Sequence, residues 1–102
     1  DIREDAMVEL NKVVKIMNEN PEVKIELGSH TDCRGSSSYN LRLSKKRAKS
    51  AAGYIAERIT NPDRIISKGY GESKLINDCN CSSRCSKEDH QFNRRTEFII
   101  IP

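Results

Sequence analysis

The chain has no tryptophan, and aromatic residues make up only 5% of it. No apolar run approaches the roughly 18 residues that cross a bilayer. Asp1 opens the chain without a basic segment followed by an apolar one, so nothing reads as a membrane span or a secretion leader. That leaves localisation open, since a leader or an outer-membrane barrel would lie outside these residues. A strong excess of one charge is also missing. Lys and Arg number 18 against 15 Asp and Glu, and the resulting +3 is far from the footprint of a dedicated nucleic-acid binder. No internal repeat is visible. What is present is 102 residues with 32% charged and 35% hydrophobic side chains. This suits one compact domain, residues 1–102, with a single modest core under an ion-rich surface.

Ala6, Leu10, Val13, Val14 and Met17 recur at helical spacing, with Glu9, Lys12, Lys15 and Glu19 on the other face, until Asn20-Pro21 stops the pattern. Val23 to Leu27 alternates apolar with charged, the mark of a strand with one buried face, and this strand is expected to end at Gly28. Ser29 to Ser38 reads as a Gly/Ser-rich loop. Leu41, Ala48, Ala51, Ala52, Ile55 and Ile59 then form the stripe of a second helix, broken by Asn61-Pro62-Asp63. Arg64 to Tyr70 has the β-branched content of a second strand. Glu72 to about Asp89 reads as a long polar loop, and Phe98 to Ile101 as a buried closing strand. Helices between strands imply a parallel crossover and an α/β fold with helices packed on a small mixed sheet. Three strands make a thin sheet, and a further strand N-terminal to Asp1 is expected to complete it.

Cys79, Cys81 and Cys85 cluster in that loop, while Cys33 lies far away. An even number favours two disulfides in an oxidising compartment. Cys79 and Cys81 are too close to pair with one another, so either is expected to join Cys85 and the other to tether Cys33. The alternative is a zinc knot of Cys79, Cys81, Cys85 and His90, although its spacing is irregular and it leaves Cys33 unexplained.

The most informative stretch is His30-Thr31-Asp32-Cys33-Arg34-Gly35, followed by Asn40-Leu41-Arg42-Leu43-Ser44-Lys45-Lys46-Arg47-Ala48. It sets an acid in a loop and a base on the next helix. Arg47 shares a face with Leu43 and Ala51 and borders the apolar stripe, whereas Lys45, Lys46 and Lys49 read as solvated. A guanidinium there presents a two-pronged donor to a carboxylate while Asp32 accepts from an ammonium, which together match an amino-acid zwitterion. A structural Asp32–Arg47 ion pair, or two unrelated surface charges, satisfies the same spacing.

These segments, with Lys68-Gly69-Tyr70-Gly71-Glu72 and Asn93-Arg94-Arg95-Thr96-Glu97, resemble the peptidoglycan-associating domain of the OmpA-like family, found in OmpA, Pal and MotB type proteins. The resemblance implies the family's βαβαβ fold, an α+β sandwich with helices on one face of the sheet, here without its first strand. It also implies non-covalent binding of peptidoglycan through the diaminopimelate residue of the stem peptide, with Asp32 and Arg47 holding its amino and carboxylate groups. Asn40 and Arg94 are expected to add hydrogen bonds near the ligand, with Thr31 and Arg34 as weaker candidates. Asn40 also reads as an N-cap of the second helix, and Arg94 as an ion-pair partner of an acid in its own loop. Ser29 departs from the Gly that many members carry there, and the missing first strand bears on the pocket, because in the family the segment after it lines the site. The cysteine-bearing insertion resembles members from the Bacteroidetes group. The implied setting is the periplasmic side of a Gram-negative outer membrane, with the parent chain held there by a barrel or lipid anchor. No cofactor is implied, and homodimerisation is left open.

Two rival classes are weighed against this. Ser29, His30 and Asp32 offer the letters of a catalytic triad, but adjacent residues leaving a strand point to different sides, so a non-enzymatic role is expected. Arg42, Lys45, Lys46, Arg47 and Lys49 form a basic helix, yet Tyr39, Tyr54 and Tyr70 are not interleaved with it, so no nucleic-acid partner is expected.

Overall fold

A computed structural model describes residues 4–82 and 84–102; Asp1 to Arg3, and Ser83 within the cysteine-bearing loop, lie outside the described residues. In chain order the elements are α1 (Glu4–Glu19), β1 (Lys24–His30), α2 (Ser37–Ala56), a 3₁₀ turn (Pro62–Arg64), β2 (Ile65–Gly71), α3 (Lys87–Asn93) and β3 (Thr96–Ile101). The sheet order is β2-β1-β3, with β1 parallel to β2 and antiparallel to β3. It is the expected mixed sheet, with the parallel pair joined through α2.

Register explains which face is covered. Ile25 pairs with Ile65 and Ile100, and Leu27 with Ser67 and Phe98, so these residues share the helix side. There Ile25, Leu27 and Ile65 pack with Leu10, Val13 and Met17 of α1, with Ala48, Ala52 and Ile55 of α2, and with Ile59 just beyond it. Burying one such aliphatic side chain stabilises the fold by about 1.5–3 kcal/mol, so this cluster supplies the main driving force. Helix α2 approaches the sheet closely because of small residues. A Cβ on Gly69 of β2 would lie 2.3 Å from the Lys45 backbone nitrogen of α2. Two residues on, Gly71 adopts φ +55°, where a side chain would be strained.

Arg64 locks α1 to the turn after α2. It is buried, and its guanidinium donates to the carbonyls of Met17 (3.2 Å), Asn20 (3.2 Å), Val23 (3.0 Å) and Thr60 (2.6 Å). These include carbonyls that the ends of the helices leave without helical partners.

Several expectations are corrected. β1 does not stop at Gly28 but continues through Ser29 and His30, whose polar side chains are buried, and the His30 amide donates to the Arg95 carbonyl at 2.8 Å. The second helix ends at Ala56 instead of running to Ile59. The polar segment is not all loop, because Ser86 and Asp89 form a reciprocal capping box that starts α3, on which His90 is a buried helical residue. β3 is not buried. It forms a sheet edge, with Ile99 50% and Ile100 64% exposed.

All four cysteines pair, Cys33 with Cys81 and Cys79 with Cys85. This agrees with the expected arrangement and uses every sulfur that a zinc knot would require.

Candidate functional site

The site is assembled where the end of β1 meets the start of α2. Ser36 caps α2, its hydroxyl accepting from the Tyr39 amide at 3.1 Å, so Asn40 is not the N-cap. Asn40 instead lies buried inside the first turns and works on the loop. Its amide donates to the carbonyls of Asp32 (3.3 Å) and Arg34 (2.9 Å) and to Glu72 Oε1 (3.0 Å). One turn later Ser44 accepts from the Gly71 amide at 2.8 Å. Thr31 turns inward, its hydroxyl donating to the Asp32 carbonyl at 3.0 Å. Asn40 and Thr31 therefore shape the Asp32 loop, each by direct bonds to its backbone.

Asp32 is only 5% exposed. Its Oδ1 accepts from the Arg34 amide at 2.8 Å, and Oδ2 accepts from Arg34 Nη2 at 2.9 Å and from Arg94 Nη1. Burial works to raise its pKa, but the bonds from the Arg34 side chain, the Arg34 backbone and Arg94 outweigh burial and hold the carboxyl well below the usual carboxylate range. Arg94 is thus paired with an acid, though not one in its own loop. Its other nitrogen, Nη2, donates to Gln91 Oε1 of α3. Asn93, fully buried beside it, accepts from the Ile76 amide at 2.7 Å and donates to Asn77 Oδ1 at 2.8 Å, tying the cysteine-bearing segment to the root of Arg94.

Arg47 lies in a groove of about 830 Å³ between the two long helices and β3. Leu10 of α1, Leu43 and Ala51 of α2 and Phe98 of β3 give it apolar surface. Asp5 and Glu9 line it from α1, and Lys46 and Arg47 from α2, with Arg94 beside the start of β3. The groove therefore has an acidic side and a basic side. Among the described residues Arg47 makes no ion pair.

Asp32 and Arg47 are not in contact; Arg94 links them, pairing with Asp32 while lining the groove that holds Arg47. Lys46 is exposed, as expected, but it also lines the groove. It follows Leu43 by three residues and precedes Ser50 by four, so it falls on the groove stripe of α2. Asp5 and Glu9 escaped sequence reasoning, since on an amphipathic helix their charges read as ordinary solvated ones.

On the opposite sheet face His30 stacks on Tyr70, with ring centroids 4.9 Å apart. Its Nε2 lies 3.3 Å from Glu97 Oε1, but among the described residues neither ring nitrogen has a hydrogen-bond partner. Burial first, and then the charge of Arg95, lower its pKa against the opposing pull of Glu97.

The OmpA family model matches residues 1–88. Photosystem I P700 chlorophyll a apoprotein A2 of Gloeobacter violaceus is 30% identical over 97% of the chain, which spans 12% of that protein. Peptidoglycan-binding protein ArfA of Mycobacterium tuberculosis is 31% identical over 89% of the chain, which spans 26% of that protein. The crystal structure of the peptidoglycan-associated lipoprotein from Burkholderia pseudomallei superposes with a TM-score of 0.84 at 20% identity, covering 99% of this chain and 81% of that one. The family match over most of the chain, the shared α/β fold and the ordered loop and helix motifs agree: the chain belongs to the OmpA family.

Proposed function

We propose that this domain binds peptidoglycan non-covalently, taking the zwitterionic end of a diaminopimelate residue in the stem peptide. The observation that carries the reading is the groove itself, lined by the apolar Leu10, Leu43 and Phe98, by an exposed Arg47 that makes no ion pair among the described residues, and by an Arg94 that pairs with the buried carboxylate of Asp32. In this reading Arg47 holds the carboxylate, Asp32 receives the ammonium, and Leu10, Leu43 and Phe98 cover the aliphatic stem between them. The role is one of holding rather than catalysis. ArfA is by name a peptidoglycan-binding protein, which supports the same class of ligand. The two disulfides suit an oxidising envelope compartment, and the reading extends to anchoring an outer membrane to the wall from its periplasmic side. The parent chain would then reach the membrane by a barrel or lipid anchor.

Sedimentation with purified diaminopimelate-type sacculi, with lysine-type sacculi as comparison, tests this. Asp32→Asn and Arg47→Ala should each lose about 2–5 kcal/mol of binding by leaving half of the zwitterion unpaired, roughly thirtyfold or more in Kd. Lys49→Ala, on an exposed α2 residue outside the groove lining, should sediment like the wild type. Equal loss in all three variants would mean diffuse attraction to an anionic polymer and would overturn the reading.

A further inference from the structure

In the free domain the position that an incoming ammonium needs is taken. Asp32 is buried, and its Oδ2 already accepts from two guanidinium groups, Arg34 at 2.9 Å and Arg94. A carboxylate oxygen offers about two lone-pair directions, so a third cation cannot join without one leaving. The two differ in how firmly they are held. Arg94 is fastened at its far side by Gln91, on the capped helix α3. The Arg34 side chain is 49% exposed, its guanidinium has no second partner among the described residues, and it stands beside Gly35 at φ +87°. Its backbone amide holds Oδ1 independently at 2.8 Å, so the guanidinium can swing away while the loop keeps its shape.

We propose that Arg34 is a built-in competitor of the ligand: its guanidinium fills the ammonium position on Asp32 when the site is empty and leaves when a cationic ligand enters. This rests on the reading that Asp32 receives the ligand's ammonium, and it reassigns Arg34 from ligand contact to occupant of the empty site. Exchange is cation for cation. The loop stays charge-compensated throughout, and a group that offers only an amide or a hydroxyl leaves Arg34 in place, because it cannot replace a charge-assisted bond.

The test is calorimetric titration of two soluble muropeptides, one with the free side-chain amine of diaminopimelate and one with that amine acetylated, into wild type, Arg34→Gln and Arg34→Lys, with folding checked by circular dichroism. Arg34→Gln should bind the free-amine muropeptide about two- to fivefold more tightly, the scale of one exposed ion pair removed from competition. Arg34→Lys keeps a competing cation and should fall between Arg34→Gln and wild type. The acetylated muropeptide should not gain. Weaker binding by Arg34→Gln, or an equal gain for both muropeptides, would refute the competitor. Failure of the wild type to bind the free-amine muropeptide at all would instead overturn the peptidoglycan reading, and the competitor with it.

Discussion

The two disulfides should contribute unequally, and the inequality can be worked from their positions. Cys33 and Cys81 are 48 residues apart in sequence, whereas Cys79 and Cys85 are 6 apart. By loop-closure entropy the long cross-link removes about 4 kcal/mol of freedom from the unfolded chain, and the short one about 2 kcal/mol. For a domain of this size, with total stability of about 5–15 kcal/mol, the first loss is severe and the second moderate. Urea unfolding of Cys33→Ala/Cys81→Ala and of Cys79→Ala/Cys85→Ala, each compared with wild type at pH 7, reads the difference from midpoint and slope together, since losing a cross-link also changes the slope. The long link also abuts Asp32, so its removal should weaken muropeptide binding about three- to tenfold through lost preorganisation, while removal of the short one should leave binding near wild type. Equal destabilisation by the two variants, or a larger effect from Cys79–Cys85, would refute the loop-length argument. Unchanged binding without Cys33–Cys81 would show that the hydrogen bonds of Asn40 and Thr31 set the Asp32 loop without the cross-link.

Three further outcomes follow from the packing and charges. Arg64→Leu strands the carbonyls of Met17, Asn20, Val23 and Thr60 and should destabilise by about 2–4 kcal/mol in urea unfolding; a loss under about 1 kcal/mol would show that water replaces the guanidinium. Gly69→Ala drives a Cβ into the Lys45 backbone and should destabilise by about 1–3 kcal/mol, read from thermal unfolding, whereas Gly53→Ala on open α2 surface should be stabilising by up to about 1 kcal/mol. Acid should act in two stages. His30, whose folded pKa is lowered by burial and Arg95, destabilises as pH falls below about 6.5, because the unfolded chain takes the proton first. Asp32, held low by Arg34 and Arg94 despite its burial, contributes fully above about pH 4 and loses that contribution as pH falls toward its folded pKa. Urea midpoints from pH 8 to pH 3 follow the upper stage and the onset of the lower one, and in His30→Asn the upper stage should disappear.

Much of this architecture is legible in the residue pattern because apolar periodicity is strong where the core is. The stripes Leu10-Val13-Met17 and Ala48-Ala52-Ile55 and the alternation Ile25-Leu27 locate α1, α2 and β1 directly. The pattern fails where polar groups are buried for backbone reasons. Ser29 and His30 look like loop residues, yet they continue β1, since pairing between Arg95, Thr96 and this end of the strand satisfies the backbone whatever the side chains are. α3 is short and carries few apolar residues, but Ser86-x-x-Asp89 is a capping signal that reveals it once it is looked for. Of the site, Asp32, Arg47 and Arg94 stand out as charges in recognisable motifs. That Arg94 lies between the other two depends on how α3 hands the chain to β3, a tertiary arrangement that spacing along the chain does not encode.

The central claim is tested most directly by titrating the isotope-labelled domain with a soluble stem peptide ending in diaminopimelate and following its amide resonances. The account predicts saturable shifts concentrated at Asp32, Arg34, Arg47 and Arg94 and along Leu10, Leu43 and Phe98, and their disappearance in Asp32→Asn. Absence of saturable shifts, or shifts centred on Lys24, Glu26 and Lys68 of the opposite sheet face, would contradict it.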